Sequence, residues 1–328
     1  FRDFQGGQRT FIAPVLSFKP GANTDLVVDF QYMKNKAQSD TGFPALGNRP
    51  APIPLSRSFQ ESNDPRDTTE NYNLAYELKH RLTDNWSITN RFLYSHALMF
   101  KPNVSGTALD DATGILDRTV TFQRLNGNAY STNLDVNGTF DLLGAKHNLL
   151  VGLDHFRSYY NYHFSNAAGN FPIDIFNPQY GTIPTSAYDD AVAGTGARFL
   201  SSVQSKQTGL YVQDQITVFD KLHVLLGGRY DSAEIHSGVS DVSKDAAIAD
   251  RQAQPGLSDH QFSPRAGLLY QFTPALSGYA SYAKSFGLNN GLSATGAPLS
   301  PQHGKQYEIG AKAQVLTGLS VTLAVFHL

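Results

Sequence analysis

The sequence predicts an all-β protein in which long antiparallel strands follow one another along the chain. Three observations lead to this prediction: apolar and polar residues alternate over long runs, aromatic residues are abundant, and short turns alternate with long loops. There are 16 Tyr and 21 Phe against one Trp and two Met, and aromatic side chains favour strands. With 328 residues, 41% of them hydrophobic, the chain is long and apolar enough to fold.

The clearest pattern runs from Lys206 to Asp231 and predicts a hairpin with a turn at Asp220 and Lys221. In its second half, one parity is apolar and the other is mostly polar; the two sets are Leu222, Val224, Leu226 and Tyr230, against His223, Arg229 and Asp231. Successive side chains of a strand point to opposite faces. One face of this hairpin is therefore apolar, and the other is polar and charged.

The same alternation predicts about a dozen strands, taken here in chain order. They are centred on residues 12–18, 26–32, 72–78, 86–94, 134–140, 147–164, 206–218, 222–231, 262–272, 277–287, 306–315 and 319–325. Long polar or Pro-containing segments predict loops at Lys36–Thr68, Lys101 to about Leu116, Ser165–Ser202, Ser237–Asp259 and Gly287–His303. Between these loops the strands are joined by short turns such as KPGANT, LTDN, LLGAK and FTPAL.

This alternation of short turns and long loops is typical of transmembrane antiparallel β-barrels of the outer-membrane type, whose strands are apolar towards lipid and polar towards the lumen. Arg229, Asp231, Glu308 and Lys312 all lie on polar faces, and a wet lumen accommodates them without desolvation. We therefore predict that these four residues face the lumen. A soluble open β-sandwich also alternates, but its loops seldom exceed ~15 structureless residues.

Asp214 is the exception, because it shares its parity with Leu210, Val212 and Ile216, which should face lipid. A β-bulge near Asp214 would turn its side chain away from lipid. A position close to the membrane interface would also explain it. The pattern does not distinguish these two explanations.

Several classes of protein are disfavoured by composition and motifs. The net charge of −2 provides no electrostatic footprint for nucleic acid, and without Cys there are no thiolate metal sites. No segment reaches the ~18 apolar residues of a transmembrane helix, and no secretion signal opens the chain at Phe1. Since the last residues read as part of a strand, we expect an internal fragment. No catalytic motif occurs, so no enzyme is predicted.

Three segments carry a resemblance to a known family. GLYVQDQITVFDKLHVLLGGRYD, FSPRAGLLYQFTPALSGYASYAKSFG and LSPQHGKQYEIGAKAQVLTGLSVTLAVFHL resemble barrel hairpins of TonB-dependent siderophore receptors. APVLSFKPGANTDLVVDFQY and AKHNLLVGLDHF look like upstream strands of the same family, especially of its ferrichrome-type (ferric-hydroxamate) branch. Gln302 and His303 depart from the family pattern, which more often has Glu before the glycine.

The resemblance implies a partial barrel domain over residues 1–328, about half of the family's 22-stranded barrel, without the N-terminal plug domain. It implies uptake of a ferric siderophore across the outer membrane of a Gram-negative bacterium, energised by the TonB complex through the plug. The implied partners are therefore the ferric siderophore, the TonB complex and outer-membrane lipid. The siderophore is a ligand, and no bound cofactor is implied.

Aromatic residues near the longest loop are the best candidates for ligand contact, because rings bury area at low entropic cost. The candidates are Tyr159, Tyr160, Tyr162, Phe164, Phe171, Phe176, Tyr180 and Tyr188, together with Phe286 at the mouth of a later hairpin. Each ring could instead belong to the interfacial aromatic girdle or pack the loops together.

His147, His155 and His163 share their parity and spacing, which raises the question of a metal site. At ~3.3 Å per residue, consecutive members are ~26 Å apart, so they cannot share one ion and no metal site is predicted. The loop pairs Asp110–Asp111 and Asp189–Asp190 lack the convergent partners that Ca²⁺ or acid–base chemistry needs.

Two other functions remain open at this stage. A passive porin-type channel shares the alternation and the aromatic girdle but has no plug and fewer strands. A soluble β-rich binding or adhesion module would not need detergent to stay in solution. Loop lengths and the three motifs favour the receptor over both.

Overall fold

The structure is a computed structural model that describes residues 2–287, 289, 291, 293–295, 297 and 299–328. Long strands dominate it, and two short helices lie in the loops. In chain order the elements are β1 (Gly7–Ile12), β2 (Val15–Gly21), β3 (Thr24–Ala37), β4 (Ala45–Leu46), β5 (Arg49–Pro50), β6 (Asp67–Arg81), β7 (Trp86–Asp110), β8 (Ile115–Leu142), β9 (Ala145–Asn166), β10 (Ile173–Asp174), α1 (Ser186–Ala193), β11 (Arg198–Val218), β12 (Leu222–Ser240), α2 (Lys244–Ala253), β13 (Leu257–Thr273), β14 (Leu276–Gly287), β15 (Gln302–Leu316) and β16 (Leu319–His327).

Most strands belong to one antiparallel sheet whose order follows the chain. The path is β1-β3-β6-β7-β8-β9-β11-β12-β13-β14-β15-β16, with β2 beside β3 and β10 beside β8. Within the described residues, β1 and β16 are not paired with each other, so the sheet is open. The predicted all-β class and antiparallel order are confirmed, and the fold is that of a partial barrel.

The two faces of the sheet differ as the alternation predicts. On one face, large apolar side chains are exposed, among them Leu134 at 41%, Leu210 at 58% and Leu323 at 69%. Such exposure is unusual for a soluble protein and suits a face that contacts lipid. The opposite face carries charged and amide side chains that hydrogen-bond to one another.

Two rows of aromatic rings border the apolar face. Near the short turns, Trp86 stacks on Phe140 with centroids 6.2 Å apart; towards the long loops, Tyr94 lies 5.1 Å from Tyr130. Phe140 and Tyr130 belong to the same strand, about ten residues or ~33 Å apart. A tilt of ~40° reduces this to ~25 Å, the height of the apolar band of an outer-membrane barrel.

Asp214 lies on the apolar face without any bulge. The pairing of β11 with both neighbours is uninterrupted there, with Asp214 opposite Leu226 and Leu149. Its carboxylate is 2.6 Å from His147 Nδ1, and His147 stacks on Phe140 in the aromatic row near the turns. The interface explanation for Asp214 is therefore correct, and the bulge explanation is wrong.

The turns at one end of the sheet are tight. Leu143 and Gly144 both have positive φ, at 53° and 78°, and they form a two-residue connection between β8 and β9. Positive φ at both central residues is the geometry that matches the twist of paired strands. Phe219 and Asp220 also both have positive φ, at 51° and 54°. This turn therefore begins one residue before the turn predicted at Asp220 and Lys221.

The connections at the other end contain more structure than predicted. The predicted loop from Lys101 to Leu116 is wrong, because β7 and β8 stay paired up to Asp110 and Ile115. Polar and small residues in this segment obscure the alternation of apolar and polar side chains. The segment still forms strands, because strand pairing satisfies its backbone hydrogen-bonding groups. The predicted loop at Gly287–His303 contains five positions, 288, 290, 292, 296 and 298, outside the described residues.

Helices α1 and α2 were not predicted. The hydroxyl of Ser243 caps α2 by accepting a hydrogen bond from the Ala246 amide at 3.1 Å, a favourable N-cap. Helix α1 ends at Gly194, whose φ of 69° is the usual left-handed C-cap. Among the described residues, neither helix is long and apolar enough to cross a membrane.

Candidate functional site

A connected set of polar side chains crosses six strands on the face opposite the apolar one. We call it the inner polar belt; it consists of Glu77, Arg91, Asp135, Tyr211, Asp154, Arg229 and Asp231. It holds two arginines and four carboxylates, so it carries a formal charge of about −2 by ordinary ionisation. Each member sits at an alternate strand position, which is why all of them reach the same face.

Arg229 is the hub of this belt. Its Nη2 donates to Asp154 Oδ1 at 2.8 Å, and its Nε donates to both oxygens of Asp231 at 2.8 and 2.9 Å. Asp231 is 2% exposed and also accepts a hydrogen bond from Gln207. The guanidinium lies 5.5 Å from the centre of the Tyr211 ring, and the Tyr211 hydroxyl donates to Asp135.

Arg91 continues the belt on the other side of Asp135. Its Nη1 donates to Asp135 Oδ2 at 2.9 Å, and its Nε donates to Glu77 at 2.6 Å. Asn133 donates to the same Asp135 oxygen at 2.8 Å. The charged side chains of the belt are thus hydrogen-bonded to one another across the sheet. Buried and half-buried polar groups require such partners.

Glu308 and Lys312 occupy the same polar face on β15, within a separate group. Tyr279 and Gln306 both donate to the carboxylate of Glu308, the latter at 3.0 Å. The ammonium of Lys312 lies 5.2 Å from the centre of the Tyr279 ring. The structure therefore places all four predicted lumen residues, Arg229, Asp231, Glu308 and Lys312, on the face opposite the exposed leucines.

The aromatic residues at the end of β9 divide between the two faces. By register, Tyr160 pairs with Gly127 and Val203, and Tyr162 pairs with Leu125, which continues the polar-face parity of Asp154. Phe164 follows on that face. Phe156 shares this parity and is 36% exposed, yet sequence reasoning missed it because it precedes the loop.

Tyr159 points the other way. Its register partner on β8 is Asn128 and its partner on β11 is Gln204, which belong to the same face as the exposed apolar residues below. The guanidinium of Arg251, from α2, lies 5.3 Å from the centre of the Tyr159 ring. Tyr159 is therefore separated from Tyr160 and Tyr162 by the thickness of the sheet.

Phe171 and Tyr188 belong to an apolar cluster that ties α1 to the β7–β8 hairpin. The cluster contains Val104, Val120, Phe122, Ala167, Ile183, Ala187, Tyr188 and Ala191, with Phe171 packed against it. The hydroxyl of buried Tyr188 donates to Asp64. Burial raises the pKa of Asp64 above its ordinary value and likewise raises the pKa of Tyr188, since it disfavours both charged forms.

Tyr180 and Phe176 lie beside a second cluster. The Tyr180 hydroxyl donates to the Ser58 carbonyl at 2.8 Å, and its ring packs against a cluster of Ala51, Phe59, Leu116, Ile173 and Ile175. Phe176 is 46% exposed. Burial raises the pKa of Tyr180.

Arg118 holds these loops together, and sequence reasoning missed it. Its side chain and that of Glu61 are both 0% exposed, with 2.9 Å between Nη2 and Oε1. Arg118 also donates to the carbonyls of Phe59 and Phe171, each at 2.9 Å. A buried pair of this kind is tolerated when every remaining donor is satisfied. Nothing local in the sequence signals it, because Glu61 lies in the loop before β6, whereas Arg118 lies 57 positions later, near the start of β8.

Phe286 sits at the end of β14, opposite His303 on β15. The two rings are 5.5 Å apart and tilted. Phe286 shares its parity with Tyr282, which pairs with Tyr307. By register Phe286 shares the parity of the apolar face, yet at this strand end it also lines a cavity with Asp154, Arg229 and Asp231 of the inner polar belt.

The three histidines of β9 have separate partners. His147 contacts Asp214, the Nδ1 of His155 lies 2.9 Å from the Thr208 hydroxyl, and His163 packs edge-on against Phe122. Burial lowers the pKa of His163. No cluster of three metal-ligating side chains occurs in the part of the chain that the structure describes.

The fold and its polar wall define a class of protein: an outer-membrane β-barrel with a charged lumen. Residues 15–328 match the family described as TonB dependent receptor-like, beta-barrel. The chain belongs to this family, whose members are outer-membrane receptors of Gram-negative bacteria and not enzymes. The porin-type and soluble alternatives are set aside by this match.

Two relatives illustrate the similarity. The chain is 31% identical over its whole length to the metal-pseudopaline receptor CntO of Pseudomonas aeruginosa (strain UCBPP-PA14), of which it covers 45%. It is 27% identical to the ferrioxamine receptor of Yersinia enterocolitica, with 94% of this chain and 42% of that receptor aligned. The chain thus spans less than half the length of these relatives.

Solved structures show the same fold. The siderophore receptor PiuA from Acinetobacter baumannii superposes with a TM-score of 0.78 at 20% identity, covering 98% of this chain and 49% of that one. The closed form of the ferric-catecholate import receptor Fiu from E. coli K12 superposes with a TM-score of 0.79 at 18% identity, covering 99% and 51%.

Proposed function

We propose that the whole protein is an outer-membrane receptor that takes up a ferric siderophore and is energised by TonB. The observation that carries this proposal is the family match over residues 15–328, supported by relatives named as receptors for metal chelates. In this proposal residues 1–328 are part of the barrel domain, and a plug that binds the TonB complex lies elsewhere in the protein.

We further propose a hydroxamate siderophore as the ligand. Two relatives named as ferrioxamine or ferrioxamine B receptors support this choice, at 27% and 28% identity. The relative named as a metal-pseudopaline receptor is more similar, at 31%, and it makes that chelate the competing ligand. A hydroxamate siderophore presents apolar surface around a compact polar iron centre, which suits a wall of rings and charges.

Tyr160, Tyr162, Phe164 and Phe156 are the candidate ligand contacts that the geometry favours. All four lie at alternate positions on β9, on the face of the inner polar belt and near its outer end. Tyr180, Tyr188 and Phe171 hold the outer loops together, so their rings are engaged with protein. Tyr159 points to the other face by register. Phe286, which lines a cavity together with residues of the inner polar belt, and Phe176, an exposed loop ring, stay available.

The test is chelate binding by the full-length receptor in detergent. Ferrioxamine B, metal–pseudopaline and a ferric catecholate are titrated separately, and each is compared with its metal-free form. Tightest binding of ferrioxamine B supports the hydroxamate proposal, whereas tightest binding of another chelate contradicts it and leaves the receptor proposal intact. If no chelate binds, the receptor proposal itself is wrong.

The contact residues are tested by Tyr160→Ala and Tyr162→Ala, with Tyr159→Ala as the matched control on the opposite face. We expect each of the first two to weaken binding by roughly tenfold, the effect of losing about 1.4 kcal/mol from a contact ring. Tyr159→Ala should leave the affinity unchanged. Equal losses at all three positions would show that the rings act through folding and not through ligand contact.

A further inference from the structure

Strands β13 and β14 separate from each other on the side of the long loops. Within the described residues, their pairing stops at Arg265 and Ala283, whereas β13 stays paired with β12 as far as Leu257. Pro264 lies directly beyond the last pair, and a proline cannot donate a hydrogen bond to a neighbouring strand. A gap therefore opens in the wall of the sheet beyond Arg265.

A cavity of about 500 Å³ lies at this gap. We call it the Arg265 cavity, and its lining includes Arg229, Asp231, Ser263, Arg265, Lys284 and Phe286. Ser263 and Arg265 belong to the polar face, because Ser263 pairs with Arg229 and Arg265 pairs with Gly227. A Cβ on Gly227 would lie 3.2 Å from Arg265 Nε, so the glycine leaves room for this side chain.

The cavity has a surplus of positive charge. Asp154 and Asp231, which both line it, are ion-paired with Arg229. Among the described residues, the side chains of Arg265 and Lys284 make no hydrogen bond or ion pair. By ordinary ionisation the cavity thus holds three bases and two carboxylates, and the two bases without a carboxylate partner lie where β13 and β14 separate.

A buried hydroxyl in the cavity wall also lacks a partner. Ser263 is 8% exposed, and its Oγ has no hydrogen-bond partner within the part of the chain that the structure describes. Buried hydroxyls are usually hydrogen-bonded, so an acceptor bound here would satisfy Ser263. Leu150, Ala283 and the ring of Phe286 provide apolar surface beside these polar groups.

We propose that the Arg265 cavity binds a free carboxylate on an arm of the metal chelate, an inference that rests on the proposed receptor function. The planar guanidinium of Arg265 pairs with both carboxylate oxygens, Lys284 adds charge, and Ser263 Oγ donates a hydrogen bond. The apolar lining packs against the methylene groups of the arm. A single negative charge balances the surplus of the cavity, whereas a doubly charged phosphate would also be repelled by Asp154 and Asp231.

The experiment measures the binding of three iron-loaded probes to the full-length receptor in neutral detergent by equilibrium dialysis. The probes are ferrioxamine B, which ends in a free amine, and two derivatives in which an acetyl or a succinyl group caps that amine. The succinyl probe carries a terminal carboxylate that the acetyl probe lacks. We expect the parent receptor to bind the succinyl probe roughly tenfold more tightly than the acetyl probe, a comparison that needs no variant.

Arg265→Gln tests which residue recognises the carboxylate. Its matched control is Lys79→Gln, which removes a base from the same face near the short turns. We expect Arg265→Gln to bind the succinyl probe roughly tenfold more weakly than the parent does, and to bind the acetyl probe equally well. It should bind ferrioxamine B at least as tightly as the parent, because the ammonium of the probe no longer meets a guanidinium.

Lys79→Gln should keep the preference of the parent for the succinyl probe, and heat-modifiable migration on a gel checks that both variants are folded. Equal binding of the two capped probes by the parent overturns the inference and leaves the receptor function standing. The same holds if Arg265→Gln keeps the preference, if Lys79→Gln loses it, or if Arg265→Gln weakens all three probes alike, which would show a structural role. If the parent binds none of the probes, the proposed hydroxamate function fails, and this inference fails with it.

Discussion

The facing of a single residue decides what a charge costs in this sheet. Val151 and Leu150 are neighbours on β9: Val151 shares the apolar face with Val136 and Val212, whereas Leu150 shares the polar face with Asn137 and Gln213. Both are mid-strand aliphatic residues, so they form a closely matched pair that differs in facing.

We predict that Val151→Arg destabilises the folded receptor by ~2–4 kcal/mol, the cost of Arg near the middle of the bilayer. Leu150→Arg should cost much less, because the guanidinium reaches a wet lumen. Urea unfolding of the full-length receptor in lipid vesicles measures both. Similar costs for the two substitutions would refute the assignment of the faces.

Arg229 is the residue at which the inner polar belt should be most sensitive. Arg229→Gln leaves nearly buried Asp231 without its cation, so we expect a loss of about 1–3 kcal/mol. Adding Asp231→Asn should recover part of that loss, because it removes the unpaired charge. A double-mutant cycle on unfolding free energies measures this coupling; strictly additive effects would show that the pair does not interact.

Among the single elements, helix α2 packs its backbone directly against Gly238 of β12. A Cβ at Gly238 would lie 2.1 Å from the Arg251 amide nitrogen and 2.4 Å from the Ala247 carbonyl oxygen, so only Gly allows the helix backbone to approach β12 this closely. We predict that Gly238→Ala displaces α2 and increases amide hydrogen exchange over Lys244–Ala253, while the barrel stays folded.

Gly267→Ala is the control for that helix, because its Cβ meets β12 at an ordinary 3.6 Å. It should leave the exchange of α2 unchanged. Unaltered exchange of α2 in Gly238→Ala would mean that the helix does not depend on the close approach.

The loop cluster around Tyr188 should respond to pH through Asp64. Because burial raises the pKa of Asp64 above its ordinary 3.8, its contribution to stability is fully present below that value and is lost as the pH rises through the raised pKa. Amide hydrogen exchange over Ser186–Ala193, corrected for intrinsic rates, should therefore be slowest at low pH, where Asp64 is protonated.

Asp64→Asn isolates that contribution, since the amide does not titrate and the buried Arg118–Glu61 pair is left intact. The protection of the parent relative to the variant should fall as the pH rises above 3.8, the ordinary pKa of the carboxyl. A difference that is constant with pH, or that moves in the parent's favour, contradicts the assignment of the shift to Asp64.

At the scale of the whole molecule, the sequence predicts the sheet far better than its outer loops. A strand's period of two is local, so runs such as Leu222–Tyr230 show their facing directly. The outer loops depend on contacts between distant segments: Arg57 donates to the Ile175 carbonyl, 118 positions away, and Arg118 reaches Glu61 across 57. No local pattern signals such pairs.

Because sequence patterns are local, they predict only part of the candidate site. Arg229, Asp231, Glu308 and Lys312 could be assigned from parity, because facing is set by one strand at a time. Tyr180 and Tyr188 could not be separated from Tyr160 and Tyr162, because all are loop-proximal rings in sequence. Only the packing of Tyr188 against α1 and Asp64 distinguishes a loop-core ring from one on the polar face.

The most direct test of the receptor assignment is uptake of iron-loaded ferrioxamine B by cells that carry the full-length gene as their sole receptor. We predict saturable uptake that stops when TonB is deleted and falls in Tyr160→Ala cells with normal receptor levels. Uptake that does not saturate and persists without TonB would identify a passive channel and contradict the receptor assignment.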